Sequence, residues 1–311
     1  MIGQASRAFF HILAGNSVLK QLASRYGMRK PDSFARRFIA GERVEEAIVA
    51  ARAIEASGMT HTLDHLGESV STMAEADVAT RAYLAMIDRI VAAGIGRNIS
   101  LKLTQLGLTI DRATCVDNLR RILEAGTPHD FFVRIDMEDS PFTSVTLDVF
   151  ETMWQQGYRN VGAVLQSYLR RSMDDARRLN TLGARVRLVK GAYQEPRSVA
   201  FQKKTEVDAA FIEIMQLLLT EGTYPAIATH DPVMIEATRQ FAAARTVPAD
   251  NYEFQMLYGI RRDLQAGLTA DRYRMRVYVP FGREWFPYFM RRLGERPANI
   301  GFVIRGIVQE R

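Results

Sequence analysis

From His61 to Glu295 the chain is built on one alternation, in which short apolar runs of strand length are followed by amphipathic stretches of helix length. The strand candidates begin at His61 (HTLDHLG), Asn98 (NISLKLTQLG), Phe131 (FFVRIDMED), Asn160 (NVGAVLQS), Arg185 (RVRLVKGAY), Pro225 (PAIATHD), Tyr252 (YEFQMLYG) and Arg274 (RMRVYVPFG). Helical periodicity falls near 72–93, 112–125, 144–156, 171–182, 198–220, 232–245 and 261–266, with a last stretch over Trp285–Glu295. Eight such units, with no Gly-x-Gly-x-x-Gly turn after the first strand, predict an α/β fold closed into a (β/α)8 TIM barrel instead of a doubly wound open sheet. Ahead of it, residues 3–26 and Val44–Ala56 also carry helical spacing. Residues 1–58 are therefore expected to form an N-terminal helical segment and 59–311 the barrel.

Alternate residues of a barrel strand point inward. With Leu101 and Leu103 turned to the helices, Ser100, Lys102 and Thr104 point inward. The same rule sends in Arg134 and Asp136, Gln166, Arg187, Ala228 and His230, Gln255 and Leu257, and Arg276 and Tyr278. Most of these polar side chains lie toward the C-terminal ends of their strands, the face on which barrel enzymes build their sites. The stretch Ala184–Tyr193, ARVRLVKGAY, has an apolar strand core yet carries Arg185, Arg187 and Lys190. Charge in a strand interior needs a partner or a ligand, so an anion is expected nearby. Lys190 has the opposite parity to Arg187 and reaches the mouth only if the strand turns near Val189. Gly191 permits such a turn, or a close approach of backbone to a bound group.

A single cysteine, Cys115, excludes an internal disulfide. No stretch approaches the ~18 uninterrupted apolar residues of a membrane span. The N-terminus lacks a charged region followed by a long apolar run, so a soluble cytoplasmic protein is expected. The net charge of +6 is compatible with nucleic acid, anionic lipid or acidic metabolites and selects none of them. The basic segment around Lys20, Arg25, Arg29, Lys30, Arg36 and Arg37 allows a peripheral contact with the inner face of an anionic membrane, although charge runs usually face water.

In FPYFMRRLGERP, Tyr288, Arg291, Arg292 and Glu295 fall three and four residues apart and share one helix face. Two guanidinium groups on one face suit a planar carboxylate gripped by paired hydrogen bonds. The plainer account is a solvated helix with an Arg291–Glu295 pair worth about 0.3–0.5 kcal/mol. Its position directly after the eighth strand favours the first account, because a final helix there can lean over the barrel mouth. Lys102 can serve as an anion partner, a Schiff-base nucleophile or a structural partner of Asp136, and an ammonium buried alone is too costly to be idle. Arg134 and Asp136 are equally well explained as interior ion-pair members. His230, in Thr229-His230-Asp231, reads more readily as a cofactor contact or a satisfied core residue than as a general base. His61 and His65 have helical i, i+4 spacing but sit in an expected strand, so no metal site is predicted. Cys115 is expected to be inert.

Taken together, SLKLTQLG, RIDMEDS, RLVKGAY, ATHD, EFQMLYG and YVPFG followed by YFMRRLGE resemble the signatures of the proline dehydrogenase family, across essentially the whole chain from the first barrel strand. The length resembles the single-function bacterial form. It is too short for the additional aldehyde dehydrogenase module of bifunctional members, and no separate DNA-binding segment is expected at the N-terminus. The resemblance implies FAD held non-covalently in the barrel and oxidation of L-proline to Δ1-pyrroline-5-carboxylate by hydride transfer to flavin N5. It also implies passage of the electrons to a membrane quinone, in the first step of proline catabolism. It assigns a carboxylate clamp to Lys102, Arg291 and Arg292, and substrate packing to Leu257, Tyr278 and Tyr288. Flavin contacts match Gln166, Arg187, Lys190, Gly191, Ala192, Thr229 and His230. Asp136 and Arg187 match catalytic positions, Asp136 beside the substrate and the lysine, Arg187 near the flavin's reacting edge. Glu68 matches a gate that pairs with the first arginine of the clamp. Gln194 stands where bifunctional members carry tryptophan, so that contact is expected to differ. No dedicated base for the proline nitrogen is evident, and solvent is expected to take its proton.

On the residues alone two other readings stay open. A barrel aldolase would use Lys102 or Lys190 as a Schiff-base lysine. A basic nucleic-acid module would display its cations outward with aromatics interleaved; here several point inward, so no nucleic-acid partner is expected.

Overall fold

The computed structural model describes residues 33–295. The helix expected over 3–26 and the basic residues Lys20, Arg25, Arg29 and Lys30 lie outside the described residues, as do the side chains of Arg291 and Glu295. Parallel strands close in sequence order: β1 (Thr60–His65), β2 (Asn98–Leu101), β3 (Phe132–Ile135), β4 (Val161–Gln166), β5 (Val186–Val189), β6 (Ala226–Ala228), β7 (Glu253–Leu257) and β8 (Met275–Phe281), with β8 pairing back onto β1. The helices are α1 (Val44–Ala56), α2 (Met73–Ala93), α3 (Arg112–Gly126), α4 (Ser140–Gln155), α5 (Ser172–Thr181), α6 (Lys204–Glu221), α7 (Pro232–Ala244), α8 (Arg262–Ala270) and α9 (Trp285–Glu295). The closed barrel with its surrounding helices is the fold that the alternation predicts.

Three local expectations change. β2 stops at Leu101, because Lys102 opens a 3-10 turn over Leu103–Leu106. Thr104, expected on the barrel interior, instead gives its hydroxyl to Glu138 at 2.6 Å and its N–H to the same carboxylate at 3.2 Å. The helix expected from 198 begins at Lys204, since residues before it form a loop tied down by the Leu169–Ala200 bridge. The short helix expected over 261–266 runs on to Ala270.

Arg134 and Arg276 point inward as parity requires, but they close the N-terminal end of the barrel and do not line its mouth. Arg276 grips Glu253 through Nε at 2.7 Å and Nη2 at 3.0 Å, and donates to the His61 carbonyl at 2.7 Å. Arg134 donates to the carbonyls of Ala163 and Arg185. Its guanidinium crosses β4 at Gly162, where a Cβ would sit 2.6 Å from Nη1. Glu253 stands one inward step below Gln255 on β7 and supplies the counter-charge that holds this layer at the bottom.

Two packing arrangements decide where the last helix goes. α1 buries Ala47, Ile48, Ala51 and Ile54, a stripe at helical spacing, in the same core as β1, β8 and α2. It thereby takes the place in the outer ring beside β8 that the helix after β8 would otherwise fill. α9 is left to pack elsewhere. Its Trp285, Phe286, Phe289 and Met290 form a separate cluster with Ala35, Phe38, Ile39 and Leu66, and Trp285 Nε1 donates to Glu42 at 3.3 Å. Burying four large side chains stabilises this placement by roughly 1.5–3 kcal/mol each, before the cost of ordering them.

Candidate active site

A cavity of about 540 Å³ opens at the C-terminal strand ends. Lys102, Asp136, Gln166, Arg187, Lys190, Gly191, Ala192, Thr229, His230, Leu257, Tyr278, Tyr288 and Arg292 all line it. Glu68 lies beside it, in a smaller cavity of about 70 Å³ that also touches Lys102, Tyr288 and Glu284. The backbone of Arg291 continues α9; its side chain, and with it the expected pairing with Glu68, lies outside the described residues.

The floor is one hydrogen-bonded network built from inward positions of β2, β5, β7 and β8 and from Asp136, just past the end of β3. Arg187 is 4% exposed. It donates through Nε to Gln255 at 2.6 Å, through Nη1 to Asp136 at 2.6 Å and through Nη2 to Ser100 at 3.1 Å. Tyr278 donates its hydroxyl to the other Asp136 oxygen at 2.7 Å and lies under the Arg187 guanidinium, 5.4 Å from ring centre to Cζ. Burial, and then the carboxylates of Asp136 and Asp64, push the Tyr278 hydroxyl well above the ordinary phenol range, so it remains a donor.

Lys102 sits where β2 gives way to the 3-10 turn, which turns its stem into the mouth. Its ammonium is 3.6 Å from Asp64 and 3.9 Å from Asp136. Burial favours the neutral amine, but Asp64, Asp136 and Glu68 outweigh it and hold the group above the ordinary lysine range. An amine kept protonated is a point charge for anions. A Schiff-base nucleophile needs the opposite shift, so Lys102 does not suit the aldolase reading.

The ARVRLVKGAY stretch divides as its parity suggests. β5 ends at Val189, and Gly191 follows with φ +113°, a conformation close to exclusive to glycine. The turn brings Lys190 to the cavity, where Nζ donates to Asp208 at 2.5 Å and Asp231 at 2.7 Å. Asp231 also caps α7 by accepting from the Val233 N–H at 3.0 Å. An ammonium so paired is no better a nucleophile than Lys102. The following loop is anchored by Glu195, which accepts from the Ser140 N–H at 2.7 Å and from its hydroxyl. His230 Nε2 accepts from the Leu257 N–H at 2.9 Å, so the neutral ring carries its proton on Nδ1 and is no base at Nε2. Gln166 is oriented by donating to the Glu138 carbonyl at 2.7 Å.

From α9, Tyr288 and Arg292 reach the same cavity, with the guanidinium carbon 5.1 Å from the Tyr288 ring centre. The other sites considered from sequence are engaged elsewhere. His61 pairs with Glu55 at 3.1 Å, and His65 packs on Tyr83 and Phe281. Cys115 is buried, and burial together with nearby Glu138 pushes its thiol up to about 12. Sequence reasoning missed Asp64. It lies on β1 in register with Ser100, so carrying the inward parity one strand further back would have found it.

The proline dehydrogenase family profile matches residues 47–305. Proline dehydrogenase 1 of Bacillus subtilis (strain 168) is 40% identical over 304 residues, covering 98% of this chain and 99% of its own. The proline dehydrogenase of Deinococcus radiodurans is 40% identical over 313 residues, covering 99% and 100%. Among solved structures, proline utilization A from Bdellovibrio bacteriovorus, inactivated by N-propargylglycine, superposes with a TM-score of 0.80 at 28% identity; the match covers 87% of this chain and 33% of that one. Barrel, mouth and final helix all fall inside the family match, and at this identity over nearly the full length the chain belongs to the proline dehydrogenase family.

Proposed function

We propose that the barrel mouth oxidises L-proline to Δ1-pyrroline-5-carboxylate with FAD as cofactor and a quinone as electron acceptor. The observation that carries this reading is the convergence of Lys102, from the end of β2, and Arg292, from α9, on a cavity that also holds the Arg187–Asp136–Tyr278 network. The residues suit a flavin dinucleotide. Gly191 presents bare backbone packed so closely on the Tyr168 ring that no side chain fits, and Lys190, Arg187, Thr229 and the Nδ1–H of His230 supply donors around one cavity. In this reading Gln166, Lys190, Gly191, Ala192, Thr229 and His230 hold the cofactor, with Arg187 toward its reacting edge.

The chemistry that FAD supplies when bound is acceptance of a hydride from proline C5 and onward delivery of the electrons to the quinone. The chain's own part is positioning and electrostatics. Lys102, Arg291 and Arg292 take the carboxylate, each charged hydrogen bond contributing about 1.5–3 kcal/mol. Leu257, Tyr278 and Tyr288 pack the ring, and Glu68 closes the mouth. Asp136 holds Arg187 and Tyr278 in place, so that positive charge stands ready where negative charge arrives. The ring nitrogen must be deprotonated for its lone pair to support the developing iminium, and solvent takes that proton.

The visible absorbance of the purified protein tests the reading: a yellow protein that bleaches on adding proline is expected. A colourless protein trapped on its substrate by borohydride would replace it with the aldolase. An Arg292→Met variant is expected to raise KM for proline by about 10- to 100-fold with a smaller change in kcat. An unchanged KM would remove Arg292 from the clamp. Peripheral membrane contact through the basic N-terminal segment belongs to the same reading, and liposome co-sedimentation checks it.

A further inference from the structure

We infer that Asp64, outside the expected set of site residues, is a positioning residue of this site that holds the Lys102 ammonium charged and aimed into the cavity. The inference rests on the reading of Lys102 as the partner of the substrate carboxylate. Asp64 is 1% exposed, and neither of its oxygens accepts a hydrogen bond. Tyr278, the hydroxyl beside it, has one proton and gives it to Asp136 at 2.7 Å. The cation within 4 Å of Asp64, among the described residues, is Lys102 at 3.6 Å.

Asp136 is in a different position, although its distance to Lys102 is similar. Its charge is already met by Arg187 at 2.6 Å and by the Tyr278 hydroxyl. Asp64 has no such alternative, and a buried carboxylate without a counter-ion is strongly unfavourable. Burial pushes the Asp64 carboxyl above its ordinary range and Lys102 is the strongest group pulling it back, ahead of Tyr278 and Arg187, so its charged form depends on Lys102 staying ionised and close. The dependence runs both ways. The lysine stem is long and flexible, and a fixed buried charge gives its ammonium one preferred direction.

The separation itself is informative. At 3.6 and 3.9 Å the two carboxylates attract the ammonium without reaching hydrogen-bond distance, so its N–H donors remain available to a third carboxylate entering from the mouth. Asp136 and Glu138 from the segment after β3, Glu68 and Glu284 from the flanking loops, and Tyr193 and Tyr278 also face this ammonium. Of the two carboxylates within 4 Å of it, Asp64 is the nearer, and Asp136 is the one also ion-paired to Arg187.

The test uses holoenzyme of the Asp64→Asn and Asp64→Glu variants, with flavin content read from the spectrum and steady-state kinetics followed from neutral to alkaline pH. Asp64→Asn keeps the shape and removes the charge. KM for proline is expected to rise about tenfold or more while kcat changes less, the equivalent of weakening one charged contact. Lys102 loses its nearest counter-charge, so any alkaline fall in kcat/KM is expected to begin at lower pH than in the parent. Asp64→Glu restores most of both. Adding Asp64→Asn to Lys102→Met leaves KM where Lys102→Met put it and raises the melting temperature above that of Lys102→Met, whose Asp64 is stranded. Wild-type KM and pH profile in Asp64→Asn, or effects on KM that multiply in the double variant, overturn the inference. If Asp64→Asn yields no holoenzyme, the melting comparison decides alone: a double variant no more stable than Lys102→Met overturns it. If proline fails to reduce the wild-type protein, the proposed function falls, and the melting comparison still reports on the Asp64–Lys102 coupling.

Discussion

An Arg187→Met variant is expected to lose about two to three orders of magnitude in kcat, with a melting temperature well below that of the parent. Methionine preserves length and much of the volume, so the loss isolates the guanidinium. Arg187 holds Gln255, Asp136 and Ser100 with three different nitrogens, and it is buried to within 4% of full enclosure. Without it, Asp136 keeps the Tyr278 hydroxyl and a lysine at 3.9 Å as its nearest compensation. Removing one partner of a buried pair typically costs about 3–5 kcal/mol, because the other charge stays behind. The activity loss has a separate source in the proposed role of Arg187, a fixed positive charge facing the point where negative charge accumulates. Thermal unfolding and flavin-reduction kinetics on the same sample separate the two. A variant that is destabilised yet turns over at the parental rate, with an unaltered flavin potential, would confine Arg187 to a structural role.

Gly191→Ala is expected to lower stability by about 2–5 kcal/mol and to yield protein with little bound flavin. Two effects combine. Its φ of +113° lies in a region that L-residues avoid, and an added Cβ would collide with the Tyr168 ring. Tyr168 is 7% exposed and clustered with Leu169 and Ala200, so the ring has little room to yield. Relief requires the turn after β5 to shift, and Lys190 with it. The ratio of visible to protein absorbance after purification measures the outcome. Full flavin occupancy at parental stability would show that the close backbone approach at Gly191 is not needed to hold the cofactor.

Much of this site can be read from sequence because strands and helices repeat locally. The alternation along the chain predicts the closed barrel, and period-two parity sends Arg187, Gln255 and Tyr278 to one interior. The three- and four-residue spacing in YFMRRLGE puts Tyr288 and Arg292 on one face, where both meet the cavity. Parity fails at Thr104 because β2 ends at Leu101, and the 3-10 turn that follows repeats every three residues instead of alternating every two. It succeeds for Arg134 and Arg276 in direction but not in height. Both side chains turn toward the bottom of the barrel, drawn to backbone carbonyls and to Glu253.

The sequence by itself determined the element order, most of the inward set from β2 to β8 and the polar face of the last helix, since each depends on residues within one or two turns of one another. Only the tertiary structure decided which charges meet. Lys190 finds Asp208 on α6 and Asp231 before α7, Arg187 finds Asp136 across the barrel, and Lys102 finds Asp64 from the opposite end of the β1–β2 connection. It also decided that α1 occupies the ring beside β8, so that α9 packs on Phe38, Ile39 and Leu66 instead. An amphipathic stripe states that a face will be buried, but not against what. Those distances are set by barrel closure and long-range packing, which no local period encodes.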